Sequence, residues 1–464
     1  MKKLIFPLIL FTLLSCSFTR EYTRPKPPIP DTWRDAHMSR ESRTGTFVKD
    51  VTVYDVVRDE RLKRLINMAL ENNRDIKISA SNVERARAYF GVRQAELLPS
   101  LNLIAEEIRQ RIPSDLSPKG EAKISEQYSI SGGIVSWELD IFGRIRASAS
   151  AALESYLAQK EISRGVRLSL ISEIAAAYFT YAADKEISEI AKEILRINEQ
   201  IYEIVRARFE SGMASQVDLK YAETQVENAR EMYNKYLEQT SKDKNALDLL
   251  AGLPVPEELL PEGTGDVVPL LDISPGLSSE VLLTRPDIMS HEHTLKAMNA
   301  YIDAARAAFF PTISLTTAIG LASSELSGLF SAGSKAWTFK PQIKMPIFDA
   351  RIMEAHRLAK VEREIALLNY EKAIQNAFRE VSDCLAVKAT IMERKKACEK
   401  IVSALSDALR LSKIRYEKGI DNYLSLLNAQ KAFLSAKINE VQLELLKNTN
   451  LLTLYKALGG GRGE

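Results

Sequence analysis

Two periodicities divide this chain. In two stretches apolar and polar residues alternate one by one. Ile313, Leu315, Ile319 and Leu321 alternate with Ser314, Thr316, Ala318 and Gly320. Trp337, Phe339, Ile343 and Met345 alternate with Thr338, Lys340, Gln342 and Lys344. A period of two puts one kind of residue on each face of a strand. Leu101–Ile112 and Tyr128–Ile141 are two further strand candidates. In the second, the apolar positions switch from even (Tyr128, Ile130) to odd (Val135, Trp137, Leu139) across Gly132-Gly133, which predicts a bulge there. Strands of roughly ten residues with one apolar face suit an outer-membrane barrel, and equally the half-buried sheet of a soluble domain.

Elsewhere the period is helical. Ile187, Ile190, Ile194, Ile197, Ile201 and Ile204 follow steps of three and four, a heptad seam. Leu424, Leu427, Lys431, Leu434, Ile438, Val441 and Leu445 form another with one polar interruption. From Gly143 to Gly212 there is no Pro, and Gly165 is the lone internal Gly. A helix of about 65 residues spans roughly 100 Å at 1.5 Å per residue. A compact soluble domain has no use for that reach; a tube across the periplasm does. An earlier helix, from about Asp59 to Leu98, is expected to end at Pro99.

These elements occur twice. Arg208-Phe209-Glu210-Ser211-Gly212-Met213 returns as Arg415-Tyr416-Glu417-Lys418-Gly419-Ile420. Each copy lies between two helical segments, and its Gly lets the chain reverse by taking a positive φ. Asp75-Ile76 returns as Asp287-Ile288, Ala88-Tyr89 as Ala300-Tyr301, and Pro99-Ser100-Leu101 as Pro311-Thr312-Ile313. Asp140-Ile141-Phe142 resembles Pro346-Ile347-Phe348. Several matches in one order predict an internal repeat. The expected domains are 59–250 and 281–458 as the two repeats and 251–280, rich in Pro and Gly, as their linker. An extended, Pro-rich segment at 16–58 precedes them and a flexible tail at 459–464 follows. Four strands cannot close a membrane barrel, because an open edge in lipid leaves backbone groups unpaired and the smallest such barrels have about eight strands. Membrane-spanning strands would therefore require two, three or more chains to share one barrel.

Composition narrows the function. The 464 residues are 45% apolar and 27% charged with a net charge of +2, which argues against disorder and against a dedicated nucleic-acid binder. Lys2 and Lys3 followed by the apolar run Leu4 to Leu14 read as a signal peptide over residues 1–15, too short to span a bilayer. Leu13-Leu14-Ser15-Cys16 resembles a bacterial lipobox, making Cys16 the expected lipid attachment site, and Ser17 after it implies the outer membrane. Cys384 and Cys398, 14 residues apart on one expected helix, are about 21 Å apart and beyond disulfide reach. His291-Glu292-His293 is a poor metal site, since i and i+2 point to different sides of a helix. No nucleophile elbow, phosphate loop or Cys/His metal spacing is present in the sequence, so neither an enzyme nor a cofactor is expected.

Arg285-Pro286-Asp287-Ile288, Ala304-Ala305-Arg306-Ala307-Ala308-Phe309-Phe310-Pro311, Gly419-Ile420-Asp421-Asn422-Tyr423-Leu424 and Tyr455-Lys456-Ala457-Leu458-Gly459-Gly460-Gly461 resemble the TolC-like outer-membrane efflux proteins, most of all the lipoprotein branch serving resistance-nodulation-division pumps. With the lipobox and the repeat, the resemblance covers essentially the whole mature chain. It implies a mainly α fold with β: a homotrimer in which each chain gives four strands to a twelve-stranded outer-membrane barrel, continued by a long periplasmic α-helical barrel. It also implies a periplasmic adaptor and an inner-membrane transporter as partners, and passive exit of small molecules. The alternatives are the exit duct of a type I protein secretion system on the same fold, and a structural periplasmic coiled-coil lipoprotein without a pore.

The resemblance places a periplasmic aperture just past the second Gly tip, with Leu424 and Asn428 lining it. Asn428 and Ser425 are neutral where family members often carry Asp; Asp421 and Asp218 keep some negative charge nearby. A gate held by Leu424 packing rather than by a charge ring is the expectation. Arg208, Gly212, Met213, Arg415, Gly419 and Ile420 are the candidate adaptor contacts.

Overall fold

The computed structural model describes residues 22–33, 46–47, 52–274 and 279–461. The signal peptide, Cys16, His37, Pro275 and the last three residues lie outside them. The chain divides into two units. The first comprises Met1–Lys26, Asn82–Lys160 and Ser290–Tyr370; the second comprises Pro27–Ser81, Glu161–Met289 and Glu371–Glu464.

The regular elements follow the expected order. A short strand β1 (Thr46–Phe47) precedes helices α1 (Glu60–Asn72) and α2 (Arg74–Ala95). Strands β2 (Leu101–Ile112) and β3 (Lys123–Leu139) lead to the long helix α3 (Arg144–Glu210) and then α4 (Gln216–Ala251). Strand β4 (Ile273–Ser274), helix α5 (Pro286–Ala307) and strands β5 (Thr312–Ser323) and β6 (Lys335–Lys344) follow. Helices α6 (Ala350–Glu417) and α7 (Tyr423–Ala457) complete the chain. The halves match in length: α2 and α5 have 22 residues each, β2 and β5 have 12, and α3 and α6 have 67 and 68. At 1.5 Å per residue α3 and α6 each run about 100 Å. Among the described residues no helix is long and apolar enough to cross a membrane.

The first unit holds a four-stranded antiparallel sheet in the order β2-β3-β5-β6. Directly opposed residues share a face, so the register sorts the side chains. Ile130 opposes Ala105 on one side and Leu321 on the other, Ile319 opposes Trp337, and Ile313 opposes Ile343, which gives one mainly apolar face. The other face carries Ser131, Gly320, Thr316, Lys340 and Lys344. Trp337 is 77% and Ile319 74% exposed, so among the described residues nothing covers the apolar face there. The bulge falls later than Gly132-Gly133: the β3–β5 register shifts between Ile134 and Trp137, and Ser136 takes φ 54°. The glycine serves a different purpose. A Cβ on Gly133 would lie 2.1 Å from the Thr317 carbonyl oxygen, so close approach of the strands, not the bulge, requires Gly there. Below the sheet, Phe142 stacks on Phe310 at 5.0 Å, and Asp140 caps α3 by accepting from the backbone N–H of Ile145 and Arg146.

The second unit explains two corrections. The helix expected from Asp59 to Leu98 is two helices. Asn73 is extended (φ −59°, ψ 136°); its side chain accepts from the Asp75 N–H at 2.8 Å and donates to the Leu250 carbonyl at 2.9 Å. The break separates apolar α1, with Leu62, Leu65, Ile66 and Ala69 buried, from α2, where only Ser79 is buried. The glycines expected as the start of a flexible tail are packed instead. Gly459 and Gly460 have φ 88° and 70°, and the Gly461 N–H donates to the Tyr455 hydroxyl at 3.0 Å. Arg285 holds this end: its guanidinium pairs with Asp287 (2.8 Å) and Glu380 (3.0 Å) and donates to the Ala457 carbonyl (2.7 Å). A Cβ on Gly459 would meet the Arg285 Cγ at 3.1 Å. The N-terminal segment packs as well, with Trp33 stacked on Phe378 at 4.9 Å and the Ser279 hydroxyl donating to the Pro30 carbonyl.

Candidate functional site

The two Gly tips hold the residues singled out in the sequence, and they are built alike from the backbone up. Gly212 and Gly419 take φ 75° and 72°. In the first tip the Met213 N–H donates to the Arg208 carbonyl at 2.7 Å and the Gly212 N–H to the Phe209 carbonyl at 2.9 Å. In the second the Ile420 N–H donates to the Arg415 carbonyl at 2.9 Å and the Gly419 N–H to the Tyr416 carbonyl at 2.9 Å. This is the Schellman closure, which satisfies the last carbonyls of a helix through a left-handed residue. Each tip then restarts a helix with a polar cap. The Ser215 hydroxyl accepts from the Asp218 N–H (3.1 Å), and the Asp218 carboxylate accepts in return from the Ser215 N–H (3.2 Å). Asn422 accepts from the Ser425 N–H (3.0 Å). The first cap is a reciprocal capping box because its third helical residue is Asp; the second has Ser425 at that position.

The side chains break this symmetry. Arg415 forms a two-pronged ion pair with Asp421 (2.6 and 2.9 Å) within its own tip. The equivalent of Asp421 in the first tip is Ala214, so Arg208 finds no carboxylate there. It reaches across instead. Its guanidinium donates to the carbonyls of Tyr416 (3.2 Å) and Glu417 (2.9 Å) and lies 4.7 Å from the Tyr416 ring centre. A cation at a helix C-terminus complements both the open carbonyls and the dipole. Beneath the tips Ile201, Val205, Ala222, Tyr416, Tyr423, Leu426 and Leu427 form a buried cluster. Burial, with the neighbouring Tyr416, pushes the Tyr423 phenol up to about 12. Hydrogen bonding to Arg415 holds the Asp421 carboxyl below the usual carboxylate range.

The expected aperture and contact residues lie as follows. Leu424 (55%), Met213 (75%) and Ile420 (59%) are exposed, and Asn428 is exposed one turn beyond Leu424. Leu424 therefore has little packing within one chain. Asp421 and Asp218, expected to leave negative charge at the tip, are both engaged, the first by Arg415 and the second by the cap. Arg208 and Arg415, read as outward contacts, are each spent partly on internal bonds. Sequence reasoning missed Tyr416 and Tyr423, whose rings meet edge-on at 5.8 Å. Their seven-residue spacing across a Gly tip was the available signal. The His291-Glu292-His293 residues diverge: Glu292 pairs with Arg24 (2.7 Å), and the His293 Nδ1 lies 2.6 Å from Glu154. Among the described residues no group of His, Cys, Asp or Glu could hold a metal ion.

Comparison with known proteins extends beyond the tips. A sequence model of the family described as "Outer membrane efflux protein" matches residues 65–253 and 277–460, one segment in each half. The toluene efflux pump outer membrane protein TtgC of Pseudomonas putida is 38% identical, over 97% of this chain and 94% of that protein. A membrane protein of Pseudomonas aeruginosa has a similar crystal structure, with a TM-score of 0.90 and 36% identity over 97% of this chain and 99% of that one. The open state of the MtrE outer membrane channel of Neisseria gonorrhoeae is similar at a TM-score of 0.85 and 35% identity, over 96% and 98% of the two chains.

Proposed function

The chain belongs to the outer membrane efflux protein family, and from that premise we propose that it is the outer-membrane channel of a tripartite efflux pump. Small molecules leave through it passively; the energy comes from an inner-membrane transporter of the resistance-nodulation-division type, and a periplasmic adaptor joins the two. The protein has no catalytic role. The observation that carries the reading is the sheet. Among the described residues both edge strands, β2 and β6, are unpaired on their outer sides, and the mainly apolar face is exposed at Trp337 and Ile319. In lipid such edges must be closed. Pairing β6 of one copy with β2 of the next closes them, and three copies make a barrel of twelve strands with the Lys340 face inside. Cys16 anchors the chain to the membrane through its lipid.

The tips supply the periplasmic end. Exposed Met213 and Ile420, presented by Gly212 and Gly419 and framed by Arg208 and Arg415, form the adaptor contact. Leu424, Ser425, Asn428, Asp421 and Asp218 surround the aperture, and Leu424 is the gate, packing against its symmetry mates. Light scattering of the detergent-solubilised protein tests the assembly: a mass of three chains is expected, and a monomer would sink the shared barrel. Leu424→Ala is expected to raise the resting conductance in planar bilayers; an unchanged conductance would remove Leu424 from the gate.

A further inference from the structure

Helix α7 carries one exposed stripe that starts at the second tip. Leu424, Asn428, Lys431, Ser435, Asn439 and Gln442 follow steps of 4, 3, 4, 4 and 3, and all six are exposed. The stripe has no carboxylate, and its single charge, on Lys431, is positive. Of the two tip carboxylates, Asp421 is neutralised by the two-pronged bond to Arg415, and Asp218, held in the cap by Ser215, keeps one negative charge against the Lys431 ammonium. A fixed charge sets ion preference where a passage is no wider than about a Debye length, roughly 10 Å at 0.1 M salt. At a narrow aperture an acidic ring would concentrate cations. Here the positions beside Leu424 offer an amide, and the first charge beyond is a repeated ammonium.

We propose that this conduit does not select cations: anionic and uncharged solutes pass the aperture at least as freely as cationic ones. The proposal rests on the conduit reading above.

The test is the reversal potential of the purified full-length protein in a planar bilayer under a tenfold KCl gradient, with Leu424→Ala recorded alongside as the opened form. A reversal at zero or on the chloride side is expected. Lys431→Glu is expected to move it toward potassium, raising the potassium-to-chloride permeability ratio at least threefold. Asn428→Asp should act in the same direction, and Lys431→Arg should leave the value unchanged. A reversal on the potassium side in the unaltered channel, or no shift in Lys431→Glu, would overturn the proposal while leaving the conduit intact. Absence of conductance in both the unaltered protein and Leu424→Ala would overturn the conduit reading and this inference with it.

Discussion

Ala214 decides what Arg208 does. Where the second tip has Asp421, the matching arginine stays within its own hairpin; where the first has Ala214, the arginine ties two hairpins together. Ala214→Asp is therefore expected to draw Arg208 back and release the carbonyls at the end of α6. Arg208→Ala should have the same effect. Loss of hydrogen bonds from a charged donor at a partly exposed site is worth about 1 kcal/mol, or roughly fivefold faster local amide exchange. Hydrogen exchange over 415–420 checks this, and unchanged protection in both variants would contradict it. A second residue-scale prediction concerns Asp184. Burial, and then a hydrogen bond with Asp243, raise its carboxyl from 3.8 to about 7. The folded chain thus keeps a proton that the unfolded chain releases near pH 4. The contribution of Asp184 to stability is fully present below that pH and is lost as pH rises toward about 7. Asp184→Asn should flatten this decline, so the melting temperature at pH 8 should rise relative to the unaltered protein while that at pH 4 stays close.

Among the elements, the strands and long helices were legible because each repeats a local pattern. Leu101–Ile112 was bounded correctly from sequence, and the seam at Ile187 and Ile201 lies in buried clusters. What the pattern could not show was why glycines interrupt β3 and β5. Gly320 faces Ser131 so closely that a Cβ would lie 2.0 Å from the Ile130 carbonyl oxygen. Gly320→Val is expected to break the β3–β5 pairing and abolish assembly into the outer membrane. Gly91 in α2 has nothing within 4 Å of a built Cβ. Gly91→Ala should be neutral or stabilise by about 0.5–1 kcal/mol, the usual gain for replacing Gly in a helix. Outer-membrane fractionation of the two variants separates these outcomes; normal assembly of Gly320→Val would contradict the packing argument.

At the scale of the whole molecule, the two faces of the sheet acquire an inside and an outside only on assembly. Phe339 and Thr338 are neighbours on β6 and lie on opposite faces. If the apolar face meets lipid, Phe339→Arg should cost about 2–4 kcal/mol near the middle of the bilayer, whereas Thr338→Arg should be tolerated. Heat-stability of the assembled particle on a gel reads the difference, and equal loss in both variants would contradict the assignment of faces.

The sequence by itself determined the period of every major element, the order of those elements, their duplication and the two Gly reversals. These are properties of neighbouring residues, set by backbone geometry and by the spacing of apolar side chains. It also carried the family resemblance, which the comparisons bear out. Only the tertiary structure decided which distant residues answer one another. Arg285 was visible as a motif and so were the terminal glycines, yet their contact, across 172 residues, turned an expected loose tail into a packed end. Arg208 was visible in a repeat, but its bond to a carbonyl 208 residues away depends on a carboxylate missing from its own tip. Such pairings are chosen by the packing of whole helices against one another, and no local periodicity encodes them.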